Sequence, residues 1–302
     1  MHTSNACGRV NPDPVHRIRW SAMIDGIKCR VNGVCHNSLR DRLDFFTPMN
    51  EATAELMPYS TAKHRHLFIS LSQGGRCSVR GSLHKYAQGG FNGGDFFLSG
   101  IREAIAELAD LFGTRPESFT LRNLEVGVNL DYPVKDITEN VILYGTDAFA
   151  PMSSKRGWFG VECELSQHTL KIYGKEGVRL RLEAHADKMQ YFLRPMAQPV
   201  LTLQQLCEPA VLSQLGDSLL AAWDKVMIRE SVEVEGLCRR DTDTLAFGVH
   251  PSYWTDLNRE NRELFKKRRT RFLELQEMHR TTDRHATVHR MAGEKWRCLM
   301  EA

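Results

Sequence analysis

The sequence predicts an α+β fold, with an antiparallel sheet that has helices packed on one face and a helical C-terminal part after it. Two observations lead to this prediction. Segments in which apolar and polar residues alternate recur through residues 23–199, and a period of two is typical of strands with one buried face. After residue 200 the apolar residues recur instead at spacings of three and four, which is typical of amphipathic helices.

Composition divides the 302 residues into three parts. Residues 1–22 are predicted to be a disordered lead, because they hold prolines and polar residues but little apolar sequence. Residues 23–199 are predicted to form the sheet domain and 200–302 a helical, basic region. From Arg259 to the end there are twelve Lys or Arg against seven Asp or Glu, although the formal charge of the whole chain is only +3.

Cysteine usage and hydropathy predict the compartment. Eight cysteines are scattered without a CxxC pair, which favours free thiols in a reducing environment. The N-terminal residues lack the apolar run of a secretory signal, and no stretch approaches the roughly 18 apolar residues of a membrane span. The sequence therefore predicts a cytoplasmic protein with no membrane partner.

Strands are predicted wherever the alternation is regular. The first strand has only a rough period of two, through Ile24, Ile27, Cys29 and Val31. Paired glycines in the segment 73–76 accept positive φ and predict a hairpin turn between two further runs. The predicted strands are 23–31, 66–72, 77–83, 121–131, 158–166, 170–173 and 178–183.

Helices are predicted from the spacing of apolar residues and from their end signals. Ser99 is a candidate N-cap and Gly113 a candidate C-terminal stop for a helix between them, while Ser252 is a candidate cap for a long helix. That long helix is predicted at 253–279, and further helices are predicted at 134–144, 202–206 and 210–227.

The hairpin within the stretch 168–191 carries the residues that point most clearly to chemistry. Its apolar positions, predicted to face the core, are Leu170, Ile172, Val178, Leu180 and Leu182. Its opposite face is predicted to carry Lys171, Tyr173, Lys175, Arg179, Arg181, Glu183 and His185. Such a face suits the handling of a phosphate, and the alternative is the solvated face of an ordinary hairpin.

Two other segments present titratable residues on their predicted polar faces. His84 falls on the polar face of the second strand of the earlier hairpin, with Ser78, Arg80 and Ser82, and Glu125 lies in the strand at 121–131. If these strands are neighbours, His84, Glu125 and Glu183 converge on one patch. The alternatives are that His84 is a hydrogen-bonded loop residue and that Glu125 pairs with Arg181.

Several segments resemble those of one family. The segments KIYGK at 171–175 and RLRLE at 179–183 resemble the paired YDK and RLE motifs of rolling-circle replication initiators, the plasmid Rep and filamentous phage gene II-type proteins. MIDGIKCRV, GSLHKYAQGGFNGGDFF at 81–97 and LRNLEVGVNLDY at 121–132 resemble further segments of this family in the same order. The resemblance covers about 23–225 and implies a Rep-endonuclease-like sheet.

The resemblance also implies an activity. Such initiators nick one strand of an origin in a metal-dependent, site-specific reaction and transfer that strand through a covalent 5′-phosphotyrosine. The implied cofactor is Mg²⁺ or Mn²⁺, because a tyrosine of pKa near 10 needs a nearby cation to act as a nucleophile at neutral pH. The implied partners are origin DNA, both duplex and single-stranded, and a host helicase and polymerase.

The resemblance assigns roles to residues of this chain. Tyr191, eight residues after Glu183, is the expected nucleophile, with Tyr173 as the alternative. Lys175 is expected beside the scissile phosphate, and Glu183, then Glu125 and His84, are the expected metal ligands. A different interpretation of Tyr191, next to Phe192, is a core or interface aromatic.

Two groups of cations are expected to contact DNA. One is Arg179 and Arg181 on the hairpin, and the other is Lys266, Lys267, Arg268, Arg269 and Arg271 in the basic region. For the second group the alternative is the solvated side of a helix.

A second function, a non-catalytic DNA-binding regulator on the same scaffold, stays open. It is favoured by Gly174 in place of the aspartate of YDK, and by the charged Arg65 between His64 and His66, where an HUH pair has an apolar residue.

Overall fold

The computed structural model describes residues 24–152, 159–175 and 179–301. The predicted disordered lead at 1–22 lies outside the described residues, as do the hairpin turn residues 176–177 and Val178. Within the described ranges the chain forms a large antiparallel sheet and ten α-helices, which confirms the α+β class.

The bounds of the elements follow in chain order. The strands are β1 (Ile24–Val31), β2 (Tyr59–His64), β3 (Leu67–Ser72), β4 (Cys77–Ser82), β5 (Phe119–Leu130), β6 (Val141–Tyr144), β7 (Asp147–Ala148), β8 (Ala150–Pro151), β9 (Gly160–Glu164), β10 (His168–Lys175), β11 (Arg179–Ala186) and β12 (Val226–Ile228). The helices are α1 (His36–Arg42), α2 (Leu83–Ala87), α3 (Leu98–Phe112), α4 (Val134–Thr138), α5 (Gln190–Leu193), α6 (Pro209–Trp223), α7 (Arg239–Gly248), α8 (Pro251–Glu260), α9 (Arg262–His279) and α10 (Arg284–Met300).

Nine strands form the main sheet in the order β2-β3-β4-β1-β5-β11-β10-β9-β8, and every pairing is antiparallel. Its apolar face is buried, as the alternation predicted, with Val126 and Leu182 fully inaccessible. Helices α6 and α10 pack on β5, and Phe112 of α3 meets Phe119 of β5 edge to face at 5.2 Å. The opposite face is the polar face, which carries the candidate site.

A second, smaller core is formed mostly by residues after 226, together with the strands β6 and β7. The short sheet β12-β6-β7 packs with α7, α8 and α9 around Trp254, whose indole donates a hydrogen bond of 2.7 Å to the Gly248 carbonyl. Helices α6 and α10 belong instead to the main core. The division at residue 200 stays a prediction, and the structure adds that the chain crosses between the two cores more than once.

Several predicted element bounds are wrong. The predicted helix 134–144 is α4 followed by β6, because 141–144 pairs with β12. The predicted helix 210–227 ends at Trp223, since Met227 lies in that same pairing. The long helix predicted from 253 to 279 is two helices, because Asn261 is extended at φ −153° and its side chain accepts a hydrogen bond from the Leu264 amide as an N-cap.

The seven described cysteines are free. In the ranges that the structure describes, no helix has both the length and the apolar content to cross a bilayer.

A close contact between α6 and α10 can be tested by substitution. A Cβ at Gly216 would lie 2.4 Å from Nε1 of Trp296, an indole held by its 2.9 Å hydrogen bond to the Leu212 carbonyl. We expect Gly216→Ala to lower the free energy of unfolding by about 1–3 kcal/mol, because overpacking forces the ring out of place. Urea denaturation measures the change.

The matched control is the other glycine of this contact. At Gly293 of α10 a Cβ would meet only Leu220 Cδ1, at an ordinary 3.5 Å. Gly293→Ala should therefore raise stability by about 0.5–1 kcal/mol through helix propensity. Similar effects of the two substitutions would contradict the close approach at Gly216.

Candidate functional site

A β-bulge in β1 places the first carboxylate of the site. Two residues of β1, Asp25 and Gly26, stand opposite the single residue Glu125 of β5. The extra residue lets both Ile24 and Ile27 reach the core while Asp25 joins the polar face, where it is 5% exposed. The sequence prediction did not include Asp25. Its signal was the break in alternation between the two isoleucines.

Three carboxylates meet on the polar face, from Asp25, Glu125 and Glu183. Each offers an oxygen, and these oxygens all lie within 4.8 Å of one another. Gly26 makes this possible, because a Cβ there would lie 2.2 Å from Glu125 Oε2. The sequence predicted that His84, Glu125 and Glu183 converge; the structure brings Glu125 and Glu183 together, with Asp25 and not His84 as the third residue of the group.

Arg181 joins two of these carboxylates from within the sheet. Its guanidinium is fully buried and donates to Glu183 Oε2 from Nε at 2.7 Å and to Asp25 Oδ2 from Nη2 at 3.2 Å. A third bond of 3.1 Å reaches Asn129 Oδ1. No face of this side chain is accessible here, so the structure gives Arg181 the role of pairing carboxylates, and its expected contact with DNA stays a prediction.

Two lysines complete the neutralisation of the carboxylates. Lys171 Nζ lies 3.2 Å from Glu183 Oε1 and 3.4 Å from Glu125 Oε1. Lys175 Nζ lies 3.8 Å from Asp25 Oδ2. Burial, helped by the charge of Arg181, lowers the pKa of Lys175 to about 8. Burial alone would raise the pKa of Glu183, but Arg181 and then Lys171 hold it below its ordinary value.

Tyr173 lies inside this cluster. Its hydroxyl donates to Glu183 Oε2 at 3.1 Å, and the side chain is 4% exposed. Burial, followed by the negative charge of Glu183, raises the pKa of Tyr173 well above its ordinary value. Tyr173 is therefore a neutral phenol here, and a cation near Glu183 would favour its ionisation.

His84 lies beside the cluster, but on α2 and not on a strand, so the predicted element is wrong. Its ring is fully buried and stacks on Phe96 at 4.8 Å. Within the described residues neither ring nitrogen makes a hydrogen bond of normal geometry. Burial and the charge of Arg181 lower the pKa of His84 to about 4, while Asp25 and Gln88 act in the opposite direction. At neutral pH it is the neutral imidazole, the form that binds metals.

His185 extends the site along β11. Its Nδ1 lies 2.7 Å from Glu125 Oε1, and its Nε2 lies 3.1 Å from Asp187 Oδ1 and 3.0 Å from Asn123 Nδ2. The hydrogen bond with Glu125 raises the pKa of His185. The sequence placed His185 on the polar face without giving it a role, and here it orients Glu125.

A glycine-rich segment, residues 88–95, lies against the cluster. Asn92 donates to Asp25 Oδ2 at 2.8 Å, and Arg179 donates to the Gly93 carbonyl at 3.5 Å. Ser82 at the N-cap of α2 also donates to Asp25 Oδ1. This part of the hairpin face is thus buried, and the alternative of an ordinary solvated face is wrong for it.

Tyr191 lies on the other face of the sheet. It stacks on His168 at 3.8 Å, and His168 shares the apolar face of β10 with Leu170. The Tyr144 hydroxyl lies 2.8 Å from His168 Nε2. Tyr191 therefore does not reach the carboxylates, and its interpretation as a core aromatic agrees with this packing. Of the two expected tyrosines, Tyr173 is the one at the cluster.

The five cations of the basic region lie on α9. Lys266, Lys267 and Arg268 are exposed, and Arg269 is partly buried. Arg271 pairs with Asp241 of α7 through bonds of 3.0 and 2.7 Å. Several of these side chains line a groove of about 1200 Å³ between α7 and α9. DNA binding by this group stays a prediction.

The comparisons with known proteins give no family. A scan against protein-family models finds no match for this chain, and a search of curated proteins finds none that is similar. The resemblance to replication initiators therefore rests on the sequence segments alone.

The donors of the cluster fit a hard divalent cation. Carboxylate oxygens are the ligands that Mg²⁺ prefers, and Mn²⁺ also accepts an imidazole. The structural support for this fit is the three carboxylate oxygens within 4.8 Å of one another; His84 lies beside them, without a normal hydrogen bond among the described residues, but is not a member of that group.

The buried histidines predict a pH dependence of stability. Burial, then the charge of Lys225, lowers the pKa of His168 from 6.5 to about 4, close to the pKa of His84. Between these values the unfolded chain binds protons that the folded chain does not. The free energy of unfolding should therefore fall as pH decreases below 6.5, by about 1.4 kcal/mol per pH unit for each histidine.

Urea denaturation across this pH window, on the wild type and His168→Gln, measures the effect. The difference between the two slopes isolates His168 from His185, whose raised pKa acts in the opposite direction. Parallel stability curves would contradict the lowered pKa of His168.

Proposed function

We propose that this chain is a replication initiation protein of the phage or plasmid type, which nicks one strand of origin DNA and holds it through a phosphotyrosine. The observation that carries the proposal is the meeting of three carboxylates with Tyr173 on one polar sheet face. The order of the resembling sequence segments supports the same conclusion.

Asp25, Glu125 and Glu183 would hold Mg²⁺ or Mn²⁺, and His84, expected from the sequence as a further ligand, lies outside this group of three. Such an ion stabilises a phenolate and the charge that develops on a phosphodiester. The cluster balances three carboxylates against Arg181, Lys171 and Lys175, so a bound dication leaves a local excess of about two positive charges. That excess favours the DNA backbone as the ligand.

The residues of the chain supply the proton transfers. Tyr173 already donates its hydrogen bond to Glu183, which gives the phenolic proton a first acceptor, and the lowered pKa of Glu183 means that the proton then passes on to solvent. The tyrosine oxygen forms a bond to phosphorus, the bond from phosphorus to the 3′ oxygen breaks, and that oxygen takes up a proton. Lys175 is a suitable donor, because its pKa of about 8 lies near neutral pH. Since Tyr173 is buried, the strand reaches it only if segment 88–95 moves aside.

A second candidate is a non-catalytic DNA-binding regulator. The charge balance of the cluster favours it, because Arg181 and the two lysines satisfy the carboxylates without any metal. On this alternative the cluster serves only to hold β1, β5, β10 and β11 together.

Cleavage assays on the two tyrosines test the mechanism. We expect Tyr173→Phe to abolish nicking in Mn²⁺ and the covalent protein–DNA adduct, because it removes the attacking oxygen from the cluster. Tyr191→Phe should keep both, since Tyr191 lies on the apolar face. Denaturing gels of labelled single-stranded oligonucleotides that tile the encoding element measure cleavage and adduct.

The opposite pattern, with loss only in Tyr191→Phe, would move the nucleophile away from the cluster. Binding of the oligonucleotides by the wild type without cleavage, in either Mg²⁺ or Mn²⁺, would favour the regulator.

Metal binding is tested by crowding Glu125 without changing any charge. Gly26→Ala places a methyl group where Glu125 Oε2 lies, so Mn²⁺ affinity should fall by about tenfold or more, the effect of disturbing the groups that orient a metal ligand. Titration followed by electron paramagnetic resonance of free Mn²⁺ measures it. Gly74→Ala is the matched control, because the nearest atom to its Cβ is Ser72 Oγ at 3.9 Å. Equal Mn²⁺ affinity in both variants would remove Glu125 from the metal site.

A further inference from the structure

The polar face continues beyond the cluster onto β1, β4, β3 and β2. There the pairing register sets one side chain from each strand in a row across the sheet. From the β2 edge to β5 the row is Lys63, Phe68, Arg80, Lys28 and Asn123. Strands lie about 4.8 Å apart, so the row is about 19 Å long.

This row carries positive charge that the fold leaves uncompensated. Lys28, Arg80 and Lys63 are exposed, as is Arg30 farther along β1. Among the described residues none of these four forms an ion pair with a carboxylate. The sequences of β2, β3 and β4 contain no Asp or Glu, and β1 contains only Asp25. Lys28 stands directly opposite Arg80, an arrangement that disfavours the sheet. An anionic ligand would offset it.

Phe68 lies in the middle of these cations. It is 46% exposed, while its neighbours Leu67 and Ile69 point into the core and are fully buried. Arg80 Cζ lies 5.8 Å from the centre of the Phe68 ring, and Lys63 Nζ lies 6.0 Å from it. A flat exposed ring flanked by cations is a surface on which an unpaired base can stack while its phosphates meet the positive charges.

The row leads to the cluster. Asn123 lies 3.0 Å from His185 Nε2, and His185 in turn lies 2.7 Å from Glu125. A strand lying along the row would therefore end beside the carboxylates.

We propose that the open face of β2, β3, β4 and β1 binds single-stranded DNA, with a base stacked on Phe68 and the backbone held by Lys28, Arg30, Lys63 and Arg80. The single strand is the form that fits, because bases paired within a duplex cannot stack on a side chain. The inference rests on the proposed function in one respect only, namely that the bound strand is cleaved at the carboxylate cluster. Binding itself needs neither a metal nor Tyr173.

Fluorescence anisotropy with a short fluorescein-labelled oligo(dT), in EDTA, tests the proposal. Phe68→Ala should weaken binding by about 5- to 100-fold without changing its salt dependence, because it removes stacking alone. Arg80→Gln and Lys28→Gln should each reduce the slope of log K against log salt by about 0.7, the value for one lost phosphate contact. Circular dichroism confirms that each variant is folded.

Phe247→Ala is the matched aromatic control. Phe247 is 54% exposed and lines the basic groove between α7 and α9. Unchanged binding in Phe247→Ala supports the sheet face. Loss in Phe247→Ala with unchanged binding in Phe68→Ala would overturn the proposal and place the strand in that groove.

Competition distinguishes the ligand. If oligo(rU) competes with the labelled oligo(dT), and its binding is weakened equally by Phe68→Ala, the result supports a site for single-stranded nucleic acid. Polyglutamate that competes as well as oligo(dT), or a duplex whose binding depends equally on Phe68, would overturn it.

Comparing binding with cleavage separates the two proposals. Phe68-dependent binding by a wild type that does not cleave DNA would leave this inference standing without the proposed function. Cleavage by the wild type, with binding indifferent to Phe68, would remove this inference alone.

Discussion

The buried guanidinium of Arg181 is the constraint on which the polar half of the structure depends. A buried charge is tolerated only when it is paired and hydrogen-bonded, and Arg181 takes its partners from three strands: Glu183 on its own strand, Asp25 on β1 and Asn129 on β5. The bulge in β1 is the local distortion that brings Asp25 within reach. The positions of Asp25 and Glu183 thus follow from the need to satisfy one cation, while Glu125 is held by Lys171 and His185.

The two halves of the polar face differ in whether their charged side chains are paired. Around Arg181 it is covered by segment 88–95, and positive and negative groups balance because desolvation leaves no alternative. From Lys28 to Lys63 it is open to water, where single cations persist at little cost. The covered carboxylate cluster and the open cationic row therefore share one sheet, and Asn123 and His185 link them.

The C-terminal helices do more than extend the chain. Helix α10 packs on β5 and places Lys295 3.3 Å from Asp95, at the end of the glycine-rich segment. Gln88, at the other end of that segment, donates to the Asp95 carbonyl at 2.6 Å. The segment that lies against the carboxylates is therefore anchored to the helix farthest along the chain. Any movement of the segment is constrained by the main core.

The sequence by itself determined the features that arise from local periodicity. Alternation fixed which residues of β5, β10 and β11 face the core, and so put Glu125, Glu183 and Lys175 on the polar face. It did not determine Asp25, because a bulge depends on the register with a partner strand about a hundred residues away. It did not determine that Arg181 is buried or that Tyr191 lies behind the sheet, since strand neighbours and covering segments decide accessibility. Only the tertiary structure decided that segment 88–95 buries one half of the polar face, while Phe68 and the neighbouring cations stay exposed to solvent. Local sequence specifies which face a side chain joins, whereas burial is a property of what packs over that face.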